Sequence, residues 1–205
     1  MVFAKAPVSG AVKTRLIPAL GADGAAAFHA RLVQHTLATL QHIDHVDVLL
    51  YGLPDPQQTM LAETATCYGV TLKLQRGEDL GERMAAAFAD NLPDYERVIV
   101  VGTDCPALRA AHYRQAMHAL DTHDVVLIPA YDGGYVLLGL RRAVPDIFRA
   151  IDWSTDKVLR QTRERLQSLG VRWQELPALH DIDRPADLVH CPPDLLTGVT
   201  HELAG

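Results

Sequence analysis

Three cationic side chains lie close together near the amino end of the chain, in a stretch without any acidic residue. Lys5, Lys13 and Arg15 all precede the first acidic residue, Asp23, in a protein whose formal net charge is −6. Gly10 allows the backbone to approach a ligand closely, and exposed loop N–H groups can line a nest for an oxyanion. Lys13 and Arg15 add charge and directed hydrogen-bond donors. The pattern predicts an anion site, and the alternative is a solvated basic turn.

The two best-known phosphate loops do not fit this segment. A Walker loop needs a lysine directly after its second glycine, whereas Gly10 stands three residues before Lys13. A dinucleotide fingerprint needs Gly-x-Gly-x-x-Gly, which the sequence lacks. The sequence therefore favours neither an ordinary P-loop enzyme nor an NAD enzyme.

Carboxylates at two distant places in the chain suit a divalent cation. Asp104 follows the apolar run Val98–Val101 and precedes Pro106, which predicts it at the carboxyl end of a strand, where open α/β folds bind ligands. Asp181 and Asp183 lie two residues apart and point to one side of an extended segment. Oxygen ligands beside phosphates are what Mg²⁺ or Mn²⁺ uses. The alternative for Asp104 and Asp183 is that each caps the helix that follows it.

Two further segments could form a pocket for an acceptor molecule. Gly133 and Gly134 permit tight backbone approach, and Asp132 before them can accept hydrogen bonds from hydroxyl groups. A plain hairpin turn explains the same residues equally well. Trp153 and Ser154 could supply an aromatic wall and a hydroxyl group.

Gly81 is predicted in the first turn of a helix. Free N–H groups at that position could face a nucleotide base or phosphate. For Gly81, as for Trp153 and Ser154, packing within the fold is the alternative.

Short apolar runs rich in Val, Leu and Ile alternate with helix-period segments along the chain. This alternation predicts an α/β fold with a mostly parallel sheet flanked by helices. Strands are predicted at 2–4, 46–51, 70–74, 98–101, 125–128, 135–140 and 171–176. The sixth should pair antiparallel with the fifth, because residues 131–134 leave no room for a crossover helix. Helices are predicted at about 25–40, 80–92, 110–120 and 155–168, the last with Ser154 or Thr155 as N-cap and Gly170 as terminator.

Composition narrows the class of protein. A length of 205 residues favours one domain, and 48% hydrophobic with 21% charged residues is ordinary for a globular protein. No apolar stretch reaches the roughly 20 residues that span a bilayer, and the acidic charge argues against a nucleic-acid surface. Cys67, Cys105 and Cys191 match neither a disulfide framework nor a zinc site. His29 and His35 are expected on or near a helix surface. We expect a cytoplasmic protein with neither membrane nor nucleic-acid partners.

Five segments, in this order, resemble one protein family. They are Lys5-Ala6-Pro7-x-x-Gly10-x-x-Lys13-Thr14-Arg15, Leu80-Gly81-Glu82-Arg83-Met84, Gly102-Thr103-Asp104-Cys105-Pro106, Asp132-Gly133-Gly134-Tyr135 and Asp181-Ile182-Asp183-x-Pro185-x-Asp187. The chain resembles the bacterial radical-SAM/selenodomain-associated transferases, also described as arsenosugar-biosynthesis-type glycosyltransferases. That family lies within the nucleotide-diphospho-sugar transferase (GT-A) superfamily, and the resemblance extends over nearly the whole chain.

The resemblance implies a single GT-A domain over residues 1–205, with a nucleotide-binding half at about 1–105 and an acceptor half at about 106–205. It implies that Asp104 and Asp181 or Asp183 hold Mg²⁺ or Mn²⁺, although the superfamily's Asp-x-Asp is only Gly-Thr-Asp at 102–104. The nucleotide-binding residues are then Lys5, Ala6, Pro7, Gly10, Lys13, Arg15 and Gly81, and the acceptor-binding residues are Asp132, Gly133, Gly134, Trp153 and Ser154. Relatives carry a few more residues before the first strand, which predicts a shortened start here.

Two reactions fit the candidate catalytic residues Lys13, Asp104 and Asp132. In glycosyl transfer, a small acceptor attacks the anomeric carbon of a nucleotide sugar and Asp132 is a candidate base. In nucleotidyl transfer of the guanylyl or cytidylyl type, a phosphorylated acceptor attacks the α-phosphorus of a nucleoside triphosphate, and Asp132 only positions the acceptor. The cationic loop's likeness to phospholactate and molybdenum-cofactor guanylyltransferases suggests this second reaction.

Glycosyl transfer is the leading hypothesis from the sequence. A non-catalytic nucleotide-binding module is a third hypothesis, but it has no use for aspartates at three positions around one ion.

Overall fold

A computed structural model describes residues 1–53 and 59–199 of the chain. In this part, strands and α-helices alternate. The strands are β1 (Val2–Lys5), β2 (Leu49–Leu53), β3 (Thr71–Leu74), β4 (Val98–Val101), β5 (Val125–Pro129), β6 (Tyr135–Leu140) and β7 (Trp173–Glu175). The α-helices are α1 (Ile17–Leu40), α2 (Thr59–Tyr68), α3 (Leu80–Asn91), α4 (Ala110–Ala119), α5 (Val158–Ser168) and α6 (Pro193–Leu196). Short 3-10 helices cover Thr14–Leu16, Pro145–Phe148 and Pro185–His190.

The strand pairings confirm the predicted α/β class with a mixed, mostly parallel arrangement. β2 lies parallel to both β1 and β3, and β5 lies parallel to β7. β6 is antiparallel to β4 and to β5, as the short connection between β5 and β6 predicts. None of the helices in the described residues is both long and apolar enough to cross a bilayer.

The described chain divides into two compact units whose segments interleave along the sequence. The first unit takes its described residues from Val2–Leu74, Thr103–Arg109 and the segment that begins at His180. The second unit consists of Met1, Gln75–Gly102 and Ala110–Leu179. The single domain and its functional division near residue 105 stay predictions.

In the first unit, α1 packs against β1, α2 and α6. Proline at the start of α1 suits a helix N-terminus, where the missing N–H has no partner to lose. Gly21 then interrupts the helix with φ 72° and ψ 167°, a conformation open in practice to glycine alone. The apolar face of α1 helps to form a buried cluster of Leu16, Leu20, Phe28, Leu32, Ile182, Cys191, Leu195 and Val199. Full burial of one such side chain contributes about 1.5–3 kcal/mol.

In the second unit, β5 and β6 form the most deeply buried pair. Val125, Val126, Leu127 and Ile128 are all fully buried, which explains the continuous apolar run in the sequence. α3 packs against β4 and α4 against β5. α3 begins after Asp79, whose carboxylate accepts a hydrogen bond from the Glu82 N–H at 2.8 Å.

Four helices differ from the sequence prediction, and one of them, the short α6, was not predicted. α1 begins at Ile17, eight residues before the predicted start, because the glycine kink joins a short first helix to the long one. α2 was not predicted, since its sequence lacks a clear apolar stripe. The predicted N-cap of α5 at Ser154 or Thr155 is wrong: Lys157 takes that position without a side-chain cap. Gly170 does terminate this helix, with φ 60°.

Candidate functional site

The cationic loop of the first unit leaves β1 at Lys5 and runs to the 3-10 helix Thr14–Leu16. Its entry is fixed by a hydrogen bond from the Ala6 N–H to the Leu53 carbonyl at 2.8 Å. Gly10 has φ 76°, and a Cβ atom there would meet no atom within 4 Å. Lys5 and Gly10 are exposed, whereas Ala6 is buried. Residues 8–11 are exposed, while the Val8 and Ala11 N–H groups donate to the Ala6 and Val8 carbonyls at 2.8 and 3.0 Å, so the role of this loop as a phosphate nest stays a prediction.

Lys13 is buried and has a left-handed backbone. Its φ of 47° and ψ of 38° cost a non-glycine residue about 1–2 kcal/mol. Its ammonium group donates a hydrogen bond to the Ile182 carbonyl and forms an ion pair with Asp104, with 2.9 Å between Nζ and Oδ1. Only 3% of the Lys13 side chain is exposed. These contacts explain why a strained backbone is retained at this position.

Asp104 lies in the loop 103–109 that follows β4, and its carboxylate has two unlike sides. Oδ1 is buried and accepts no hydrogen bond of good geometry, so its contact with Lys13 is electrostatic. The Asp104 side chain as a whole is 48% exposed, which places the exposed surface on its Oδ2 side. The Asp104 carbonyl accepts the Ile182 N–H at 2.7 Å. We call Lys13, Asp104 and Ile182 the three-segment junction.

Ile182 anchors the segment that begins at His180, and so fixes the positions of the two aspartates beside it. Its side chain is fully buried in the cluster under α1, while Asp181 and Asp183 are partly exposed. Asp183 forms an ion pair with Arg15 at 2.5 Å. The Asp187 carboxylate accepts hydrogen bonds from the main-chain N–H groups of Asp183 at 3.0 Å and of residue 184 at 2.7 Å. The 3-10 helix that follows begins after Arg184, so Asp183 is not its N-cap.

The structure thus brings together residues that lie about 170 positions apart in the chain. Lys13 contacts Asp104 and Ile182, and Arg15 contacts Asp183. The sequence predicted these cations and carboxylates as parts of one site. It did not predict that, in this structure, the cations neutralise the carboxylates.

Two histidines of α1 fix the loops of the site, and no sequence pattern indicated this role. His29 Nε2 donates to the Lys5 carbonyl at 3.0 Å, and His35 Nε2 donates to the Pro106 carbonyl at 3.1 Å. The expected surface position is wrong for His29, which is 5% exposed. Burial lowers the pKa of His29 below its ordinary value, although the Asp104 carboxylate opposes this effect.

The cysteines of this unit do not carry reactive thiols near the junction. Burial raises the pKa of Cys105 to about 12 and that of Cys191 to about 11. Both thiols therefore stay protonated near neutral pH, as structural cysteines do. Cys67 is exposed and, like the other two, free.

The donor set allows a test of the divalent cation that the resemblance implies. Within residues 1–53 and 59–199, no three His, Cys, Asp or Glu side chains form a ready-made metal cluster. Asp104 nevertheless has a solvent-facing side, while its buried oxygen faces the Lys13 ammonium. Mg²⁺ commonly binds one or two carboxylates and takes its other ligands from water and substrate phosphates. The residues fit a cation that binds together with phosphates, and the set Asp104, Asp181 and Asp183 stays a prediction.

In the second unit, Asp132, Gly133 and Gly134 form a tight turn between β5 and β6. Asp132 Oδ1 accepts the Gly134 N–H at 2.8 Å, while the side chain remains exposed. Gly133 has φ 93°, and a Cβ atom there would overlap the main chain of Asp156. The turn explains both glycines, and the role of Asp132 toward an acceptor stays a prediction.

Gly81 and Trp153 lie in direct contact in the same unit. A Cβ atom on Gly81 would overlap the Trp153 indole ring, which packs in turn against Phe148 with 6.5 Å between ring centroids. Gly81 is buried, so packing accounts for this glycine. Ser154 is exposed with φ 65°, an uncommon conformation for serine. Binding roles for these three residues stay predictions.

Comparison with known proteins shows the family to which the chain belongs. Residues 36–155 match the model of a family described as "Uncharacterized protein conserved in bacteria" (DUF2064). The chain belongs to this family. A crystal structure described as a nucleotide-diphospho-sugar transferase from Desulfovibrio desulfuricans G20 is 33% identical, with a TM-score of 0.84. That match covers 91% of this chain and 82% of the other.

Two proteins that are similar to this chain are named for their activities. A 2-phospho-L-lactate guanylyltransferase from Methanothermobacter thermautotrophicus is 29% identical over 161 residues, which are 78% of this chain and 69% of the relative. A phosphoenolpyruvate guanylyltransferase from Sphaerobacter thermophilus is 27% identical over 179 residues, which are 86% and 84% of the two chains. The predictions of a transferase and of a nucleotide-diphospho-sugar transferase fold are confirmed.

Proposed function

We propose that the protein is a metal-dependent nucleotidyltransferase that moves a guanylyl group from GTP to a small phosphorylated carboxylic acid. The observation that carries the proposal is the chain's relatedness, over most of its length, to two guanylyltransferases. Their named substrates are both three-carbon acids that carry a phosphate. The proposal reverses the order expected from the sequence, in which glycosyl transfer came first.

The geometry of the first unit supports a triphosphate donor. Arg15 is 59% exposed and Lys5 is exposed, so both cations can reach phosphate oxygens, and the missing side chain at the exposed Gly10 lets a phosphate approach the main chain. Asp104 would hold a divalent cation, with Asp181 or Asp183 as a further ligand. When bound, Mg²⁺ or Mn²⁺ supplies positive charge to the phosphates as negative charge develops on them.

The reaction requires positioning more than covalent chemistry by the protein. A phosphate oxygen of the acceptor attacks the α-phosphorus, a new P–O bond forms, and the bond to the β-phosphate breaks, so that pyrophosphate leaves. Arg15 and the loop around Gly10 would hold the donor phosphates during this displacement. The acceptor-binding roles of Asp132, Gly133, Gly134, Trp153 and Ser154 stay predictions. No covalent intermediate with the protein is needed.

Glycosyl transfer from a nucleotide sugar is the second candidate. The observation in its favour is the nucleotide-diphospho-sugar transferase from Desulfovibrio desulfuricans, which shares 33% identity. In that reaction the donor phosphates would lie at the same loop, and the leaving group would be a nucleoside diphosphate. The narrower radical-SAM-associated group, the cytoplasmic location and the absence of nucleic-acid partners stay predictions.

The test is a donor and acceptor panel with Mg²⁺. GTP, CTP, ATP and UTP are each incubated with phosphoenolpyruvate, 2-phospholactate or 3-phosphoglycerate, and pyrophosphate release is followed together with the product mass. We expect release with GTP and at least one acid, and a loss of at least about 100-fold in Asp104→Asn, since metal-dependent charge stabilisation supplies several kcal/mol. Asp121→Asn, at an exposed ion pair with Arg97 in the second unit, is the matched control and should retain activity.

Nucleotide sugars without triphosphates form the opposing arm of the panel. Turnover of a nucleotide sugar, with no pyrophosphate from any triphosphate, would replace the guanylyl proposal with glycosyl transfer. Binding of nucleotides without consumption of any donor would favour the non-catalytic module.

A further inference from the structure

Lys13 is the most enclosed charged group of the candidate site. Its side chain is 3% exposed, and its ammonium has two oxygen partners, the Ile182 carbonyl and Asp104 Oδ1. A buried ammonium is retained only where partners compensate its lost hydration. The contacts of Lys13 are therefore those of an internal structural cation.

We propose that the Lys13 ammonium is a built-in counter-cation of Asp104, so that the lysine weakens the attraction of this carboxylate for a divalent ion. Without a metal, Lys13 neutralises Asp104 and holds the Ile182 segment in place. Lys13 is then a positioning residue that acts through Asp104. The inference rests on the metal part of the proposed function and is independent of the transferred group.

Electrostatics sets the direction of the effect. A cation 2.9 Å from Oδ1 lowers the attraction of the same carboxylate for a second cation at Oδ2. Loss of Lys13 leaves Oδ1 buried beside an apolar side chain with no compensating charge, which destabilises the metal-free protein. The same loss makes Asp104 a stronger ligand, because a divalent ion then becomes the only strong counter-charge for it. Metal-free stability and metal affinity should change in opposite directions.

The experiment uses the full chain, with Mn²⁺ alone as the probe. Lys13→Met keeps much of the side-chain volume and removes the charge. We expect its melting temperature without metal to fall by about 5 °C or more. Saturating Mn²⁺ should raise the melting temperature of the variant more than that of the unchanged protein. Paramagnetic resonance of free Mn²⁺ should show affinity at least about threefold higher, a shift of roughly 0.5 in the logarithm of the binding constant.

Two controls separate this role from simple destabilisation. Leu195→Ala removes a buried apolar side chain from the same cluster and should lower the melting temperature without changing Mn²⁺ affinity. Lys157→Met removes an exposed ion pair with Asp152 and should change neither quantity. Lys13→Arg retains the charge and should recover part of the lost stability.

A double variant keeps the test decisive if Lys13→Met fails to fold. Lys13→Met combined with Asp104→Asn removes both charges, so it should be more stable than Lys13→Met and should lose the Mn²⁺ response. The proposal is overturned if Lys13→Met binds Mn²⁺ no more tightly than the unchanged protein, or if neither protein binds Mn²⁺. It is also overturned if the double variant loses the sum of the two single losses. A failure of guanylyl transfer in the donor panel would change none of these Mn²⁺ measurements.

Discussion

Arg15 lies two positions after Lys13 but has quite different surroundings. Its side chain is 59% exposed, and its partner Asp183 is 34% exposed. Exposed ion pairs of this kind contribute only about 0–1 kcal/mol to stability, because water and salt screen them. Arg15 can therefore leave Asp183 for a phosphate at little cost, which makes it the best placed phosphate ligand of the loop.

Arg15→Gln should separate binding from stability. We expect the melting temperature to change by less than about 2 °C, while affinity for GTP falls about 10-fold, since a charge-assisted contact is worth about 1.5–3 kcal/mol. Calorimetric titration and thermal unfolding measure the two quantities. Arg160→Gln, at the exposed pair with Glu164, is the matched control and should retain GTP affinity. Unchanged GTP binding in Arg15→Gln would remove this residue from the site.

His29 gives the stability of the protein a pH dependence of known sign. Burial places its pKa in the folded chain below the ordinary 6.5, so below about pH 6.5 the unfolded chain binds more protons than the folded one. The contribution of His29 to the free energy of unfolding is therefore fully present above that pH. This contribution is lost as the pH drops through the lowered pKa of the folded chain. His29→Gln should lose less of its melting temperature between pH 7 and pH 5.5 than the unchanged protein does. The exposed His42→Gln is the control, and an equal slope in His29→Gln would show that His29 titrates normally.

At the residue scale, the sequence predicted which residues belong to the site better than it predicted the contacts that they make. The types and spacing of Lys13, Arg15, Asp104 and Asp183 indicated one site, and the structure does bring them together. The burial of Lys13 was beyond sequence reasoning, because it depends on a carbonyl 169 positions away. Local patterns carry no information about such a contact.

Helix α1 connects the parts of the first unit through side chains that meet main-chain carbonyls. His29 meets the end of β1, His35 meets the loop of Asp104, and Arg31 donates to the Leu195 and Thr197 carbonyls near the end of the described chain. Each of these residues lies on a helix whose other face is buried against apolar side chains. One helix therefore fixes three segments that the chain delivers from distant positions.

In the second unit, the first turn of α3 depends on a glycine. Alanine normally favours a helix over glycine by about 1 kcal/mol, but a Cβ atom on Gly81 would overlap the Trp153 indole ring. Such overpacking costs about 1–3 kcal/mol. Gly81→Ala should therefore lower stability by about 1 kcal/mol and shift the tryptophan fluorescence. A Cβ atom on Gly102 would meet no atom within 4 Å, so Gly102→Ala should be tolerated. Equal stability of the two variants would contradict the contact between Gly81 and Trp153.

At the element scale, the most apolar strands were predicted best. β4 and β6 have the bounds expected from the sequence, because each is a buried run with clear polar or glycine boundaries. The start of β2 was placed three residues early, since Val46 continues the apolar pattern before the strand pairing begins. α2 was missed because its sequence, in which small and polar residues interrupt the apolar ones, lacks a strong apolar stripe. Boundaries follow pairing and packing, which composition alone does not define.

For the molecule as a whole, the cationic loop is a local exception in an acidic chain. A net charge of −6 repels polyanions at long range, whereas a small anion can enter the local field of the loop. We expect affinity for a fluorescent GTP analogue to fall severalfold between 50 and 300 mM salt, because exposed charges are screened. Duplex DNA at 150 mM salt should not displace the analogue. Displacement by DNA would show a larger basic surface than the sequence predicts.

Ile182 enters the three-segment junction through its main-chain N–H and carbonyl rather than through functional atoms of its side chain. In a saturation library at this codon, branched aliphatic residues of similar volume should survive selection for activity. Glycine, proline and charged residues should be depleted. Proline lacks the N–H group that donates to the Asp104 carbonyl, glycine leaves a cavity in the buried cluster, and a charged side chain would be buried without a partner. Substitution at this position is thus restricted to aliphatic side chains of similar shape, so that an aliphatic residue between two aspartates is a useful marker of this architecture.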